Sequence, residues 1–218
     1  MNKFIALAVG GFVAIAASHA SAAVITQTAT FAGQKTDFTS ATLTLAGFNP
    51  ALGTLTSVTI NLSSNASIAG TVTNNAPTAQ NFKVSTSTDV TLSASSPVSS
   101  IGGITVNLAS SQSFTAVPSG GTASYGPYNP SQTTGEVAGT PLSAFQSGPI
   151  TFTASTLSGT TILGGGNNIA TAIQSFVGGS VTATYTYSLP VVQVPEPASM
   201  ALLGMGLAGL GLIRRRSV

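Results

Sequence analysis

The chain has 218 residues, 43% hydrophobic but only 5% charged, with six basic against four acidic side chains, one histidine and no cysteine. The apolar share excludes a disordered stalk, and the lack of cysteine excludes disulfides and thiol chemistry. Four of the six positive charges, Lys3, Arg214, Arg215 and Arg216, sit at the two ends, leaving Lys35 and Lys83 against Asp37, Asp89 and Glu136 in a nearly neutral body that has no basic stripe for nucleic acid.

In chain order, the first element is an export signal over residues 1–22. Lys3 supplies the positive start and Phe4 to Ala17 an apolar run of fourteen residues, too short to span a bilayer comfortably. Ala20-Ser21-Ala22 then forms a small-x-small cleavage site. The mature chain is expected to begin at Ala23, with cleavage after Ala20 as the nearest rival.

The body, residues 23–193, is of single-domain size at roughly 170 residues. Period-two alternation dominates it. In Val24 to Phe31 and again in Thr182 to Tyr187, threonine takes every second place, which sends it to one face of a strand and its neighbours to the other. Residues 41–45, 54–62, 67–73, 82–92, 104–115 and 150–154 read as further strands, punctuated by Gly47-Phe48-Asn49-Pro50, Asn74-Asn75-Ala76-Pro77 and Ser95-Ser96-Pro97. About eight short strands so punctuated predict an all-β antiparallel β-sandwich, with a β-barrel as the alternative. The Gly/Pro-rich stretch Pro118 to Pro141 reads as a long loop, and Ile169 to Phe176 as a short helix or a strand. Threonine ranks such as Thr26/Thr28/Thr30 are read as strand formers on a solvent face poor in Lys and Glu, not as an ice-binding array, because no solenoid repeat accompanies them.

After the body come Val194-Pro195-Glu196-Pro197, sixteen apolar or small residues from Ala198 to Ile213, and the basic run Arg214-Arg215-Arg216. As a helix, residues 198–213 reach about 24 Å, somewhat short of the roughly 30 Å hydrocarbon core. The arginines extend that reach by placing guanidinium groups among headgroups, and they hold the end on the cytoplasmic side. Two prolines keep the motif extended and outside the helix that follows. Residues 194–218 thus resemble the PEP-CTERM sorting signal of exopolysaccharide-producing Gram-negative bacteria. The resemblance implies recognition of Pro195, Glu196 and Pro197 by a membrane transpeptidase of the exosortase type. It also implies a transient transmembrane helix, and an inner-membrane intermediate that precedes release to the cell surface or extracellular matrix.

The body carries a resemblance of its own. Phe48-Asn49-Pro50-Ala51-Leu52-Gly53-Thr54-Leu55-Thr56-Ser57-Val58, the Asn74-Asn75 turn, Phe145 to Phe152, Gly164-Gly165-Gly166-Asn167 and Val181 to Tyr187 together resemble the choice-of-anchor E family. Membership implies a secreted β-rich domain joined to an anchor, with no catalytic residues to transfer.

The chemistry available is sparse. The histidine, His19, lies in the export signal, so the mature chain lacks the Ser/His and Cys/His nucleophile pairs and the usual zinc ligands. No Ser-x-x-Lys pattern precedes Lys35 or Lys83, and no Asp-x-Asp run offers a calcium loop. Three body carboxylates are thin material for glycoside hydrolysis. Gly204-Met205-Gly206-Leu207-Ala208-Gly209 matches the dinucleotide pattern in letters alone, since no strand–helix–strand unit surrounds it. The expectation is a non-enzymatic surface protein with no metal or cofactor, associated with exopolysaccharide or biofilm. A carbohydrate-binding module and a self-associating coat protein are the alternatives. Tyr125 and Tyr128, in the long loop, are the candidate sugar-stacking residues.

Overall fold

The computed structural model describes residues 22–95, 98, 101–190 and 203–209. The chain divides into two units, Ala22–Leu189 and residues 1–21 with 190–218. Ala22–Leu189 is built from ten strands, all paired antiparallel. They are β1 (Ala22–Lys35), β2 (Ala41–Leu45), β3 (Thr54–Asn74), β4 (Gln80–Ala94), β5 (Gly103–Val117), β6 (Thr122–Tyr128), β7 (Ser131–Thr133), β8 (Val137–Ala138), β9 (Ile150–Gly164) and β10 (Ile169–Ser188). One sheet runs β1-β10-β3-β6, with β7 and β8 also on β3, and the other runs β2-β9-β4-β5. Neither closes into a barrel. The inward residues of both sheets, Ile60, Leu62 and Val181 from one and Val84, Val90 and Phe152 from the other, belong to a single core cluster.

Alternation explains the burial. On β3 every even position from Val58 to Ile68 is buried, and on β4 every even position from Phe82 to Leu92. Leu55 breaks parity and is still buried, because a register shift opposite Thr186/Tyr187 inserts one residue into β3 and flips the faces beyond it. Asn49 starts the turn before β3 by accepting from the Ala51 N–H at 3.0 Å. Gly53, at φ 150°, lies so close to the Ser188 carbonyl that a Cβ would collide with it.

Several segments differ from the sequence expectation. Residues 54–62 and 67–73 are one strand of 21 residues, since Ser64, the apparent interruption, faces inward and donates to the Gly178 carbonyl at 2.8 Å. The stretch Pro118 to Pro141 is not a loop but carries β6, β7 and β8, which pair with β3 along one edge. β9 runs ten residues past Ala154, and Ile169 to Phe176 is strand throughout. In the other unit, residues 203–209 are helical. Among the described residues no helix is long and apolar enough to cross a membrane. The rest of the expected transmembrane segment, residues 198–202 and 210–213, lies outside the described residues.

Candidate functional site

The sorting residues Pro195, Glu196 and Pro197, the basic run Arg214 to Arg216, and Ala20 of the export signal lie outside the described residues. The two ends of the Ala22–Leu189 unit are described. Ala22 pairs with Ser188 and Ala23 with Tyr187, so the chain enters β1 and leaves β10 side by side. With β10 spanning 20 residues, the turn at its far end sits about 65 Å from that point at ~3.3 Å per residue. The first and last residues of Ala22–Leu189 therefore lie at the same end of that unit.

The tyrosines correct the sequence reading. Tyr125 is 1% exposed, with its ring edge-on to Tyr128 at 5.2 Å. Its hydroxyl forms a three-membered ring with Thr86 Oγ1 at 3.1 Å and Ser110 Oγ at 2.9 Å, themselves 2.7 Å apart. Each hydroxyl there donates once and accepts once, which satisfies three polar groups in the interior. Tyr128, half-buried, donates to Gln112 Oε1 at 3.0 Å, and the same oxygen accepts the Gly126 N–H. These residues tie β6 to β4 and β5 across the two sheets. A buried ring has no face to offer a sugar. Period-two reading of Thr122 to Tyr128 as a strand was the signal that would have placed Tyr125 inward.

Two of the three body carboxylates, Asp37 and Asp89, are hydrogen-bonded locally. Asp37, at φ 68°, accepts from the Ser158 N–H at 2.7 Å and from the Ser158 hydroxyl, while its own N–H donates to Thr156 Oγ1. Asp89 Oδ1 accepts from Asn107 Nδ2 at 2.6 Å. Among the described residues no three His, Asp or Glu side chains gather where they could hold a metal. Burial without a charged partner pushes the Tyr185 phenol up to about 12, and its hydroxyl donates to the Ala46 carbonyl at 3.0 Å.

The outer face of the second sheet holds a shallow hollow of about 510 Å³. Its floor is two rows of small side chains, Thr161-Ser85-Ser111 and Gly159-Ser87-Ala109, brought into line by the β9/β4/β5 register. The next rows outward carry Leu163 and Lys83 at one end, and Leu157, Asp89 and Asn107 at the other. Leu157 and Leu163 are 71% and 73% exposed. The floor presents hydroxyls to a neutral polyol but sets no base beside any of them. The sequence reading missed this face, whose signal was the Ser-x-Ser spacing of Ser85 and Ser87. On the outer face of the first sheet the threonine ranks do meet: Thr26 pairs with Thr184 and Thr28 with Thr182, the latter two hydroxyls 3.1 Å apart.

Residues 193–216 match the PEP-CTERM protein-sorting motif. That motif marks a secreted protein recognised by an exosortase and exported through the membrane to the cell surface. The match covers the tail and leaves the body unassigned, so the likeness of the body to the choice-of-anchor E family stands on the sequence motifs alone. No curated protein matches the chain. Among solved structures the chain is similar to the VP2 subviral particle of infectious bursal disease virus, at 13% identity and a TM-score of 0.22. It is also similar to the structure of the Gx strain of that virus, at 15% and 0.20. In both cases 86% of this chain is aligned against 49% of the other, so it spans about half the length of the structures it matches. Scores this low carry no argument about fold or function.

Proposed function

We propose that this is a non-enzymatic protein of the cell surface or extracellular matrix, held at the inner membrane until an exosortase-type transpeptidase cuts it near Pro195-Glu196-Pro197, and then associated with exopolysaccharide. The observation that carries the reading is the sorting motif at residues 193–216. The body supports it physically. Its entry and exit strands lie side by side, so the chain enters and leaves Ala22–Leu189 at one end of that domain. Asp37 and Asp89 are engaged by Ser158 and Asn107 instead of facing one another as an acid/base pair. Its outer faces are ranks of Ser and Thr, which a hydrated polymer meets without charge repulsion. Membership of the body in the choice-of-anchor E family belongs to the same proposal.

The test is replacement of Pro195, Glu196 and Pro197 by alanine in the producing cells. The variant accumulates uncut in the inner membrane while the parent reaches the surface; identical fractionation and size for both would overturn the proposal. A second reading, glycan binding, is favoured by the hollow over Ser85, Ser87 and Ser111. Ser87→Trp fills its floor, so saturable retention on the producer's polysaccharide falls if the hollow binds and is unchanged if it does not.

A further inference from the structure

The end of the body farthest from Ala22 and Ser188 is left open on one side, and it is open in both sheets at once. β2 covers β9 only over residues 150–154, and β1 covers β10 only from Phe176 to Ser188. Between them the chain crosses from one sheet to the other at residues 36–40, and its last contacts there are the Thr156 N–H to the Phe38 carbonyl, the Ser158 N–H to Asp37 Oδ1, and the Thr36 N–H to the Ser175 carbonyl. Beyond this crossover, among the described residues, Gly159–Gly164 of β9 pairs only with β4 and Ile169–Gln174 of β10 only with β3, and no strand lies on their other side. Because Thr156 and Ser158 aim their N–H groups at this side, alternation aims those of Thr160 and Ile162 there too.

Four other edges of the sheets exist, along β1, β2, β5 and β6–β8, and they differ in one respect. There the inward apolar side chains are buried or half-buried: Leu108 and Phe114 on β5, Leu43 and Leu45 on β2 and Phe31 on β1 are buried, and Ile25 and Ala29 on β1 and Ala123 on β6 are half-buried. At the open end the inward positions Thr160 and Ile162 are exposed, Ile162 by 37%, and Ile169 and Ile173 are only half-buried. A small cavity of about 180 Å³ opens between Ile162 and Ile169. Bare backbone and bare core thus coincide.

We propose that the occupant of this side is a second copy of the same chain, paired antiparallel through both edges about one two-fold axis perpendicular to the sheets. The axis passes Ile162 of β9, so that Thr160 pairs with Gly164 of the other copy. This register keeps the incoming strand clear of Asp37 and Ser158. The residues 165–168 join the two free stretches, and Thr171 lies as far beyond that connection as Ile162 lies before it; Ser175 aims its carbonyl at the open side, so Thr171 faces it too and the same axis serves β10. A rotation about such an axis keeps inward faces inward, and Ile162, Ile169 and Ile173 of the two copies cover one another.

Charge and area select a like partner and set its strength. From Ile150 through Ser188 the chain has no charged residue, and the two charges that border the open side, Lys35 and Asp37, are opposite in sign, so the surface meets its own copy without net repulsion. Neither free stretch contains the lysine or proline that blocks edge pairing elsewhere. Six-residue strands about 20 Å long, across a two-sheet flank about 20 Å deep, bury roughly 400 Å² per copy, half of the ~800 Å² of a standard stable interface. The dimer is therefore reversible and fills where copies are crowded, as they are on a surface.

The chain's lack of cysteine gives a direct test. Across the axis two copies of residue 162 form a hydrogen-bonded pair with Cα atoms about 5.5 Å apart, inside the range a disulfide bridges. Ile162→Cys in the full chain, exported by the producing cells and mildly oxidised, gives a reducible dimer; Thr105→Cys on the exposed face of the β5 edge does not. In sedimentation of the protein recovered from those cells, Ile162→Lys weakens self-association about tenfold or more by opposing like charges at the axis. A cross-link at 105 and none at 162, or a dimer indifferent to the lysine, would overturn the proposal. The cysteine variant carries the test even where the lysine variant fails to fold.

Discussion

β9 passes through two environments in fifteen residues, and the contrast shows what completes this core. In its first half, under β2, the inward residues Ile150, Phe152 and Ala154 are fully buried. In its second half, past the crossover, the same alternation continues on the same sheet, paired to the same β4, yet Ile162 is 37% exposed. Side-chain type does not distinguish Ile150 from Ile162. The neighbour on the far edge does. Burial in this molecule is a property of how many strands stand abreast, and the open end is one strand short in each sheet.

The sharpest way to break that contrast is to truncate a large side chain in each half. Phe152→Ala should cost about 3–5 kcal/mol of unfolding free energy, since the cavity lies under a complete layer, whereas Ile162→Ala should cost less than about 1 kcal/mol in dilute solution. Urea denaturation of the two variants measures the difference. Next in size is Asn74, fully buried where β3 turns toward β4. Its Nδ2 donates to the carbonyls of Val117 at 2.8 Å and Thr78 at 2.9 Å, and its Oδ1 accepts from Ala76. Asn74→Ala strands those groups without water and should lose about 3 kcal/mol by the same assay.

At the covered end, Tyr185 makes stability fall in alkali. Its pKa is raised from 10.0 to about 12 by burial. Between those values the unfolded chain gives up the phenolic proton and the folded chain keeps it, so this contribution is whole below pH 10 and fades as pH climbs through 12. It amounts to roughly 2.5 kcal/mol at most, and Tyr185→Phe should flatten the pH dependence of denaturation in that window. The smallest pair of effects sits toward the open end, where Thr86 pairs with Thr160 and Thr88 with Ser158. Tyr125→Phe opens the hydroxyl ring with Thr86 and Ser110 and should lose about 1 kcal/mol. Thr88 Oγ1 is buried without a partner, so Thr88→Val should gain about 1 kcal/mol. Thermal melts resolve both signs.

How much of this the sequence disclosed follows the range of the signal. Strands marked by apolar alternation, such as Ala41–Leu45 and the Val181–Tyr187 end of β10, were legible because each residue's type reports its face. The second half of β9 was not, because Ser155 to Thr161 are polar or small on both faces except for Leu157, which points outward, and so carry no hydrophobic period. Pro118 to Pro141 looked like a loop for its glycines and prolines, yet β6 lies at an edge, where a proline costs no ladder bond on the open side. The sorting motif was readable because a protease recognises it as a linear strip. The open side was invisible to any local reading, since it arises from where β1 stops relative to where β10 begins, two segments more than 130 residues apart.

The central claim is that the chain is delivered outward and cut at its tail, and mass spectrometry of the protein recovered from the surface of the producing cells tests it most directly. The account predicts a chain that begins near Ala23 and ends close to Pro195-Glu196-Pro197, without Arg214, Arg215 and Arg216. Surface protein that still carries all three arginines would contradict it.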